Sequence, residues 1–258
     1  MRSFLHTIPL FLILAIGSYA QETNPTEKAL FVVGEQLEYS MKWGIFKVGS
    51  GFLRVEEMTE IDGIPCYHLS LKVRTNSFAD VIYKVRNEFH SYVSVEDPRV
   101  IHYRIQQHEG STDRDATVFF DWEKNTATYQ RDGEEPKDPV GIEDYTWDPL
   151  SVVYYSRKVV DDSGEDVSLL ATDGKKFLSI DVKNFGKKKI KTQLGTFDAI
   201  KVEPNTKEMK GVFQKRKDSN ILMWYSMDEN RYPLLIKSKV AVGSFVAELK
   251  GIKNFLDK

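Results

Sequence analysis

The sequence predicts a mainly β protein: a large curved antiparallel sheet, a half-barrel or open barrel, with one covering helix near residues 148–160. Three observations predict it. Segments of alternating apolar and polar residues recur at intervals of roughly 10 to 12 residues, with turn chemistry between them. Only one stretch has helical periodicity. No strand–helix–strand rhythm runs through the chain, which sets aside a doubly wound α/β fold.

The chain opens on MRSFLHTIPLFLILAIGSYA. Arg2 gives a positive start, Ile8 to Ile16 form an apolar run too short to span a bilayer comfortably, and Ser18-Tyr19-Ala20 fits the small-x-small cleavage rule. Residues 1–20 therefore read as a signal peptide cleaved near Ala20/Gln21. Residues 21–29 are a loose polar leader, and 30–258 a single β-rich domain. The only cysteine, Cys66, lies far beyond the apolar run. The lipoprotein route is thus closed, and the expected location is the periplasm or the medium. One cysteine also excludes an internal disulfide, so stability must come from a large core. A hydrophobic fraction of 41% in 258 residues supplies enough apolar mass for one.

In EQLEYSMKW, Leu37, Tyr39, Met41 and Trp43 fall on one face and Glu38, Ser40 and Lys42 on the other, the period of a half-buried strand. The following WGIFKVGSG carries Gly44, Gly49 and Gly51. Gly44-x4-Gly49 has the opening spacing of a phosphate loop, but the lysine and the metal-binding hydroxyl are missing and both flanks are strands. The stretch reads instead as the turn and bulge joining the first two strands, with Gly49 and Gly51 interrupting the alternation between Val48 and Phe52. Asp62-Gly63 between alternating runs marks a hairpin, and in its returning strand Tyr67, Leu69, Leu71 and Val73 share a face. Further strands follow in NEFHSYVSVED, RVIHYRIQQHEG, RDATVFFDWEK and TATYQRDG.

TWDPLSVVYYSRKVVDDSG breaks the pattern. Asp148 is placed as N-cap, Pro149 at the first helical position and Gly164 as the stop, with Leu150, Val153 and Tyr154 on one face. Such a helix must bury that face against the sheet. Strands resume in VSLLATDG, KKFLSIDVKNFG, KKIKTQLGTFDAIKVEP, ILMWYSMDENRYPLLIKSKVA and SFVAELKGI.

Removing the leader takes away Arg2 alone, so the net charge of −2 becomes slightly more acidic, which excludes a dedicated nucleic-acid binder. The run Lys187, Lys188, Lys189 reads as a solvated hairpin tip, with at most peripheral contact to anionic lipid or lipopolysaccharide. His68, His90, His102 and His108 offer no short metal-ligand spacing, and a polar strand face is the expected setting. No G-x-S-x-G serine is present, and Asp113/Asp115 and Asp161/Asp162 sit in turn-like stretches. No cofactor, no metal and no catalytic group is assigned. The aromatics are the remaining resource. Most must be core, but Trp43, Phe46, Phe52, Trp147, Tyr154 and Trp224 are the candidates to line a cavity for an apolar ligand.

Four stretches, GEQLEYSMKWGIFKVGSGFLRV, WDPLSVVYYSRK, LGTFDAIKVEP and WYSMDENRYPLLIKSKVAVGSFVAELKGI, together resemble a bacterial envelope family, domain of unknown function 3108. They cover Gly34 to Ile252 in the expected order. The resemblance implies an exported protein with no assigned activity. It also implies an architecture similar to the LolA/LolB half-barrels, and it carries over no functional residue. The expectation that follows is a monomeric carrier for a lipid, acyl chain or lipoprotein segment. The alternatives are an envelope interaction module with a filled core, and a glycan-acting enzyme with converging acids.

Overall fold

The structure is a computed structural model that describes residues 29–205, 221–239 and 244–255. Sixteen strands among these residues form one sheet. The first half comprises β1 (Glu35–Trp43), β2 (Phe46–Val55), β3 (Thr59–Ile61), β4 (Ile64–Thr75), β5 (Val85–Ser94), β6 (Val100–Glu109), β7 (Thr112–Asp121) and β8 (Thr126–Arg131). The second comprises β9 (Val140–Gly141), β10 (Thr146–Trp147), β11 (Val167–Thr172), β12 (Phe177–Thr192), β13 (Gly195–Pro204), β14 (Ile221–Ser226), β15 (Pro233–Lys239) and β16 (Ser244–Asn254). Two helices interrupt them: α1 (Ser77–Asp80), a single turn, and α2 (Ser151–Val159).

The hydrogen-bonded order is β10-β11-β12-β13-β14-β15-β16-β1-β2-β4-β5-β6-β7-β8-β9, with β3 paired to β4 off this path. Every ladder is antiparallel except β10–β11. The first and last strands are neighbours in the middle of the sheet, Tyr39 opposite Leu249. The path is open, but packing brings its two ends together. Gly174, in the β11–β12 turn, lies so close to Val118 of β7 and Tyr129 of β8 that a Cβ on it would meet Val118 Cγ1 at 2.7 Å. The Lys175 ammonium sits 4.0 Å from the Tyr129 ring centre. The sheet thus curls into a barrel-like shape that side chains close, without a ladder across the seam.

Alternation decides what faces inward. Leu37, Leu53, Val55, Leu69, Val93 and Leu249 are buried to within 5% of full exclusion. One main cluster joins β1, β2, β4 to β8, β10, β13, β15, β16 and α2, and a second joins Val160 with β11 to β14. α2 covers the concave side as the periodicity predicts: Leu150 and Tyr154 are buried, and Val153 packs against them. Its regular turns begin at Ser151, yet Asp148 does the capping. Its Oδ1 accepts from the backbone N–H of Leu150 and Ser151, and its own N–H donates to Ser151 Oγ. The Asp62-Gly63 hairpin is also present, with both residues at positive φ and Ile61 opposite Ile64.

Two local expectations are corrected. The β1–β2 turn is at Gly44 (φ 59°), and the bulge lies beside Val48, between the Met41–Gly49 and Lys42–Lys47 pairs, not at Gly49 or Gly51. Gly49 has a different reason: a Cβ there would stand 2.3 Å from the Arg74 carbonyl oxygen of β4. Lys187, Lys188 and Lys189 do not form a hairpin tip. Gly186 (φ 62°) is a bulge within the single long strand β12, and the three lysines pair with Ile200, Ala199 and Asp198 of β13. A lone glycine in an alternating run marks a bulge as readily as a turn.

Candidate functional site

The interior is occupied by side chains that lock α2 to the sheet. Arg157 reaches Glu35 of β1 with two parallel hydrogen bonds of 2.6 and 2.9 Å, and its Nε donates to the Asn230 carbonyl. Ser156 Oγ and the Tyr225 hydroxyl of β14 are 2.7 Å apart. Burial pushes the Tyr225 phenol up to about 12, so it stays a neutral partner at any physiological pH. Asp148 is fully buried and accepts from Ser91 Oγ of β5 and from Ser151 Oγ as well as the two N–H groups. Desolvation raises its pKa despite those four donors. The Tyr39 hydroxyl donates to the Pro233 carbonyl of β15, reaching past the one strand between them. Two fully buried polar atoms in the same region, Trp147 Nε1 and the Tyr154 hydroxyl, have no partner among the described residues.

The six predicted lining residues fall in three places. Trp147 and Tyr154 are in the main core, and half-buried Trp224 packs against it. Phe52 sits between inward Gly51 and Leu53, on the outer face of β2, under the Arg54 guanidinium. Trp43 and Phe46 are 41% and 56% exposed at the end of the β1–β2 hairpin. The fold therefore does not bring the six together. Two cavities of about 490 and 290 Å³ open on the surface instead, lined by Asn125, Ile142, Glu143 and Asp144, and by Thr117, Phe119, Gln130, Asp132 and Gly133.

Four histidines lie on the outer face of β4 to β6. His68 and His90 share a ring-nitrogen hydrogen bond of 2.9 Å, and His68 stacks on Tyr92. Burial lowers the pKa of both, and of His102. His108 pairs with Asp113 and Asp115. No three His, Cys, Asp or Glu side chains among the described residues cluster closely enough to hold a metal.

The feature that sequence reasoning missed is an apolar rim at one end of the barrel. The β1–β2 hairpin presents Trp43, Ile45 (89% exposed) and Phe46 there. Beside it the segment from α1 into β5 presents Phe78, Val81 (88%), Ile82 (70%) and Tyr83. The two meet where the Phe46 and Phe78 ring centres are 6.0 Å apart. The segment is firmly held. Asn76 caps α1 by accepting from Ala79 N–H, donates from its side chain to the Lys47 carbonyl, and donates its own N–H to Val48. Arg86 clasps Asp80 bidentately. The signal was available: turns are normally polar, whereas GIF and FADVIY are not.

A barrel-like β protein with a plugged interior and an apolar rim is the class that fold and surface define. The chain belongs to the family described as "Protein of unknown function (DUF3108)", whose model matches residues 38–250. No curated protein matches it. Among solved structures it is similar to the crystal structure of a β-barrel-like protein of domain of unknown function DUF1849 from Brucella abortus, with a TM-score of 0.55 and 8% identity over 87% of this chain and 99% of that one. It also matches a candidate exported protein with a YmcC-like fold from Bacteroides fragilis (TM-score 0.37, 12% identity, 86% and 97% covered). A candidate lipoprotein from Parabacteroides distasonis matches as well (TM-score 0.35, 10% identity, 87% and 98% covered). Among the described residues no helix is long and apolar enough to cross a membrane.

Proposed function

We propose that this protein is an exported interaction module of the cell envelope, a rigid filled barrel that presents its apolar rim to a partner. The reading places one domain over residues 30–258 behind a cleaved leader (1–20) and a short polar segment (21–29). It places the mature, non-lipidated chain in the periplasm or outside the cell. The observation that carries it is the rim: seven large apolar side chains, 41–89% exposed, on two segments that backbone and side-chain hydrogen bonds hold in place. Contiguous exposed apolar surface of this kind marks an interaction site. The sheet's own edges are poor docking templates, since β9 and β10 are only two residues long. The test is fractionation of cells producing wild type or an Ile45→Ser/Ile82→Ser variant, with the mass of each chain checked for loss of the leader. Wild type should co-fractionate with the envelope after osmotic release and the variant should leave with the soluble proteins; equal partitioning overturns the reading.

A second reading, the carrier of an apolar ligand that a LolA/LolB-like half-barrel would suggest, rests on Trp147 Nε1 and the Tyr154 hydroxyl. Both are buried without a partner, and leaving such a group unsatisfied costs about 1–3 kcal/mol. A lipid with a hydrogen-bonding end, entered beneath α2, would satisfy them, at the expense of opening the Arg157–Glu35 pair. Native mass spectrometry of the purified chain tests it: a bound lipid mass supports the carrier, and a bare chain indifferent to fatty-acid probes sinks it.

A further inference from the structure

We infer that the surface the rim docks on is an anionic lipid bilayer, into whose interfacial layer the β1–β2 hairpin and the α1 segment dip. This rests on the interaction reading above and adds the identity of the partner. Three observations carry it. The most exposed apolar side chains, Ile45, Val81 and Ile82, are in tight turns, between β1 and β2 and after α1, rather than on a strand face. That shape suits insertion into a fluid interface better than burial against a flat protein surface. Trp43 and Tyr83 flank them, and amphipathic rings of this kind settle at headgroup level.

The third observation is charge. Lys47, Arg74, Lys84 and Lys239 are exposed around the rim, and none takes part in an ion pair among the described residues. Lys239 belongs to the same end because its partner, Ser244, accepts from Gly44 N–H. Arg74 is opposite Arg86 in the β4–β5 ladder. Of the acids at this end, Asp80 is held by Arg86, and Glu109, opposite Val85, accepts from the Asn87 side chain. A collar of cations around an apolar tip matches an anionic headgroup layer over a hydrocarbon interior, because long basic side chains extend to phosphate while their stems remain in the apolar zone. The collar lies apart from Lys187, Lys188 and Lys189, which sit mid-strand on β12 with Lys187 paired to Asp198.

The rim is also built to stay in place. Tyr83 packs over Gly110 of the β6–β7 turn, where φ is 58° and a Cβ would meet the ring at 2.7 Å. The loop that carries Val81 and Ile82 is therefore pinned at both ends, at Asn76 and at Tyr83. Little ordering is left to be done on docking.

The experiment is co-sedimentation of the mature chain with vesicles of phosphatidylcholine alone, or mixed with phosphatidylglycerol. Binding to the anionic vesicles only, weakening as salt rises, is expected. Ile45→Ser/Ile82→Ser and, separately, Lys47→Glu/Lys84→Glu should each lower the affinity at least about tenfold, as loss of two inserted or two cationic groups predicts. A Lys187→Glu/Lys188→Glu/Lys189→Glu variant should bind as wild type. The four rim side chains are exposed and outside ion pairs, so unfolding midpoints of the rim variants should be unchanged; Val81→Ser substitutes for the apolar variant, and Lys47→Gln/Lys84→Gln for the charge variant, should either fail to fold. Absence of vesicle binding, or equal binding by wild type and rim variants, overturns the inference. A rim-dependent dimer on size exclusion without vesicle binding also overturns it, in favour of self-association. If vesicles fail while rim variants still leave the envelope fraction, the interaction reading stands and its partner is a protein.

Discussion

Arg157 of α2 and Glu35 of β1 form a bidentate ion pair between side chains that are 9% and 5% exposed, and it fastens the covering helix to the middle of the sheet. Arg157 also lies 5.1 Å from the Tyr232 ring centre and donates to a backbone carbonyl, so its donors are well used. A buried pair is costly to break from one side, because the survivor keeps its desolvation penalty. Glu35→Ala is therefore expected to lower unfolding free energy by about 3–5 kcal/mol. Glu35→Leu/Arg157→Met should recover much of that loss. Urea unfolding of the three variants checks it, and a double variant as unstable as Glu35→Ala would refute the desolvation argument.

Asp148 joins the cap of α2 to β5 through Ser91. Asp148→Ala removes an N-cap and strands two buried hydroxyls, for an expected loss of about 2–4 kcal/mol. Asn keeps the acceptor for Leu150 and Ser151, and the two serines can reverse their hydroxyls, so Asp148→Asn should cost far less. The pH dependence has a definite sign. Burial raises the folded pKa above the unfolded one, so the folded state favours the protonated acid. Stability should be highest below the unfolded value and decline as pH rises through the window up to the folded one. Asp148→Asn should abolish that component of the pH profile; a profile unchanged by the substitution would contradict it.

On the outer face the sign is opposite. His68 and His90 are held below the ordinary histidine range, first by burial, and His68 further by His90 itself. Their shared hydrogen bond needs one ring nitrogen to accept, which double protonation prevents. Stability is thus whole above the unfolded value of about 6.5 and is lost as pH falls through the folded values. His68→Gln/His90→Gln should flatten the acid arm of the urea midpoint against pH. If the arm survives, the pair is not its cause.

Gly49 and Gly51 are expected to differ sharply although both face inward on β2. Gly49→Ala drives a methyl into the Arg74 carbonyl of β4 and should destabilise by about 1–3 kcal/mol, more if the ladder shifts. At Gly51 the nearest atoms to a Cβ are at 3.7 Å or beyond, ordinary contact, so Gly51→Ala should be neutral or slightly stabilising. Thermal unfolding of the two variants separates these outcomes.

Much of the architecture was legible because it depends on local chemistry. Alternation placed the long strands, Asp62-Gly63 gave the hairpin, and Asp148-Pro149 gave the helix start within three residues of its first regular turn. What escaped depends on distant parts of the chain. β12 continues through Gly186 because β13 is there to pair with it on both sides of the bulge. Gly49 is needed because β4 comes close, which nothing in VGSG reveals. The aromatic candidates scattered for the same reason: Phe52 and Leu53 are both large and apolar, and only the neighbouring ladders decide which one points inward. Trp43 and Phe46 belong to strands whose ends overrun the core. The rim they help to form was written in the apolar character of two turns.

The pairing of β1 with β16 in mid-sheet has a temporal consequence. β1 is among the earliest strands to leave the ribosome, yet one of its two neighbours is among the last, with Tyr39 and Leu249 more than two hundred residues apart. Closing so long a loop is entropically unfavourable and slow. Until the final strand arrives, the barrel has a gap down its centre and α2 has an incomplete wall to rest on. The β1–β16 ladder is thus among the last parts of the described sheet that can form, and α2 can settle fully against its wall only after it has.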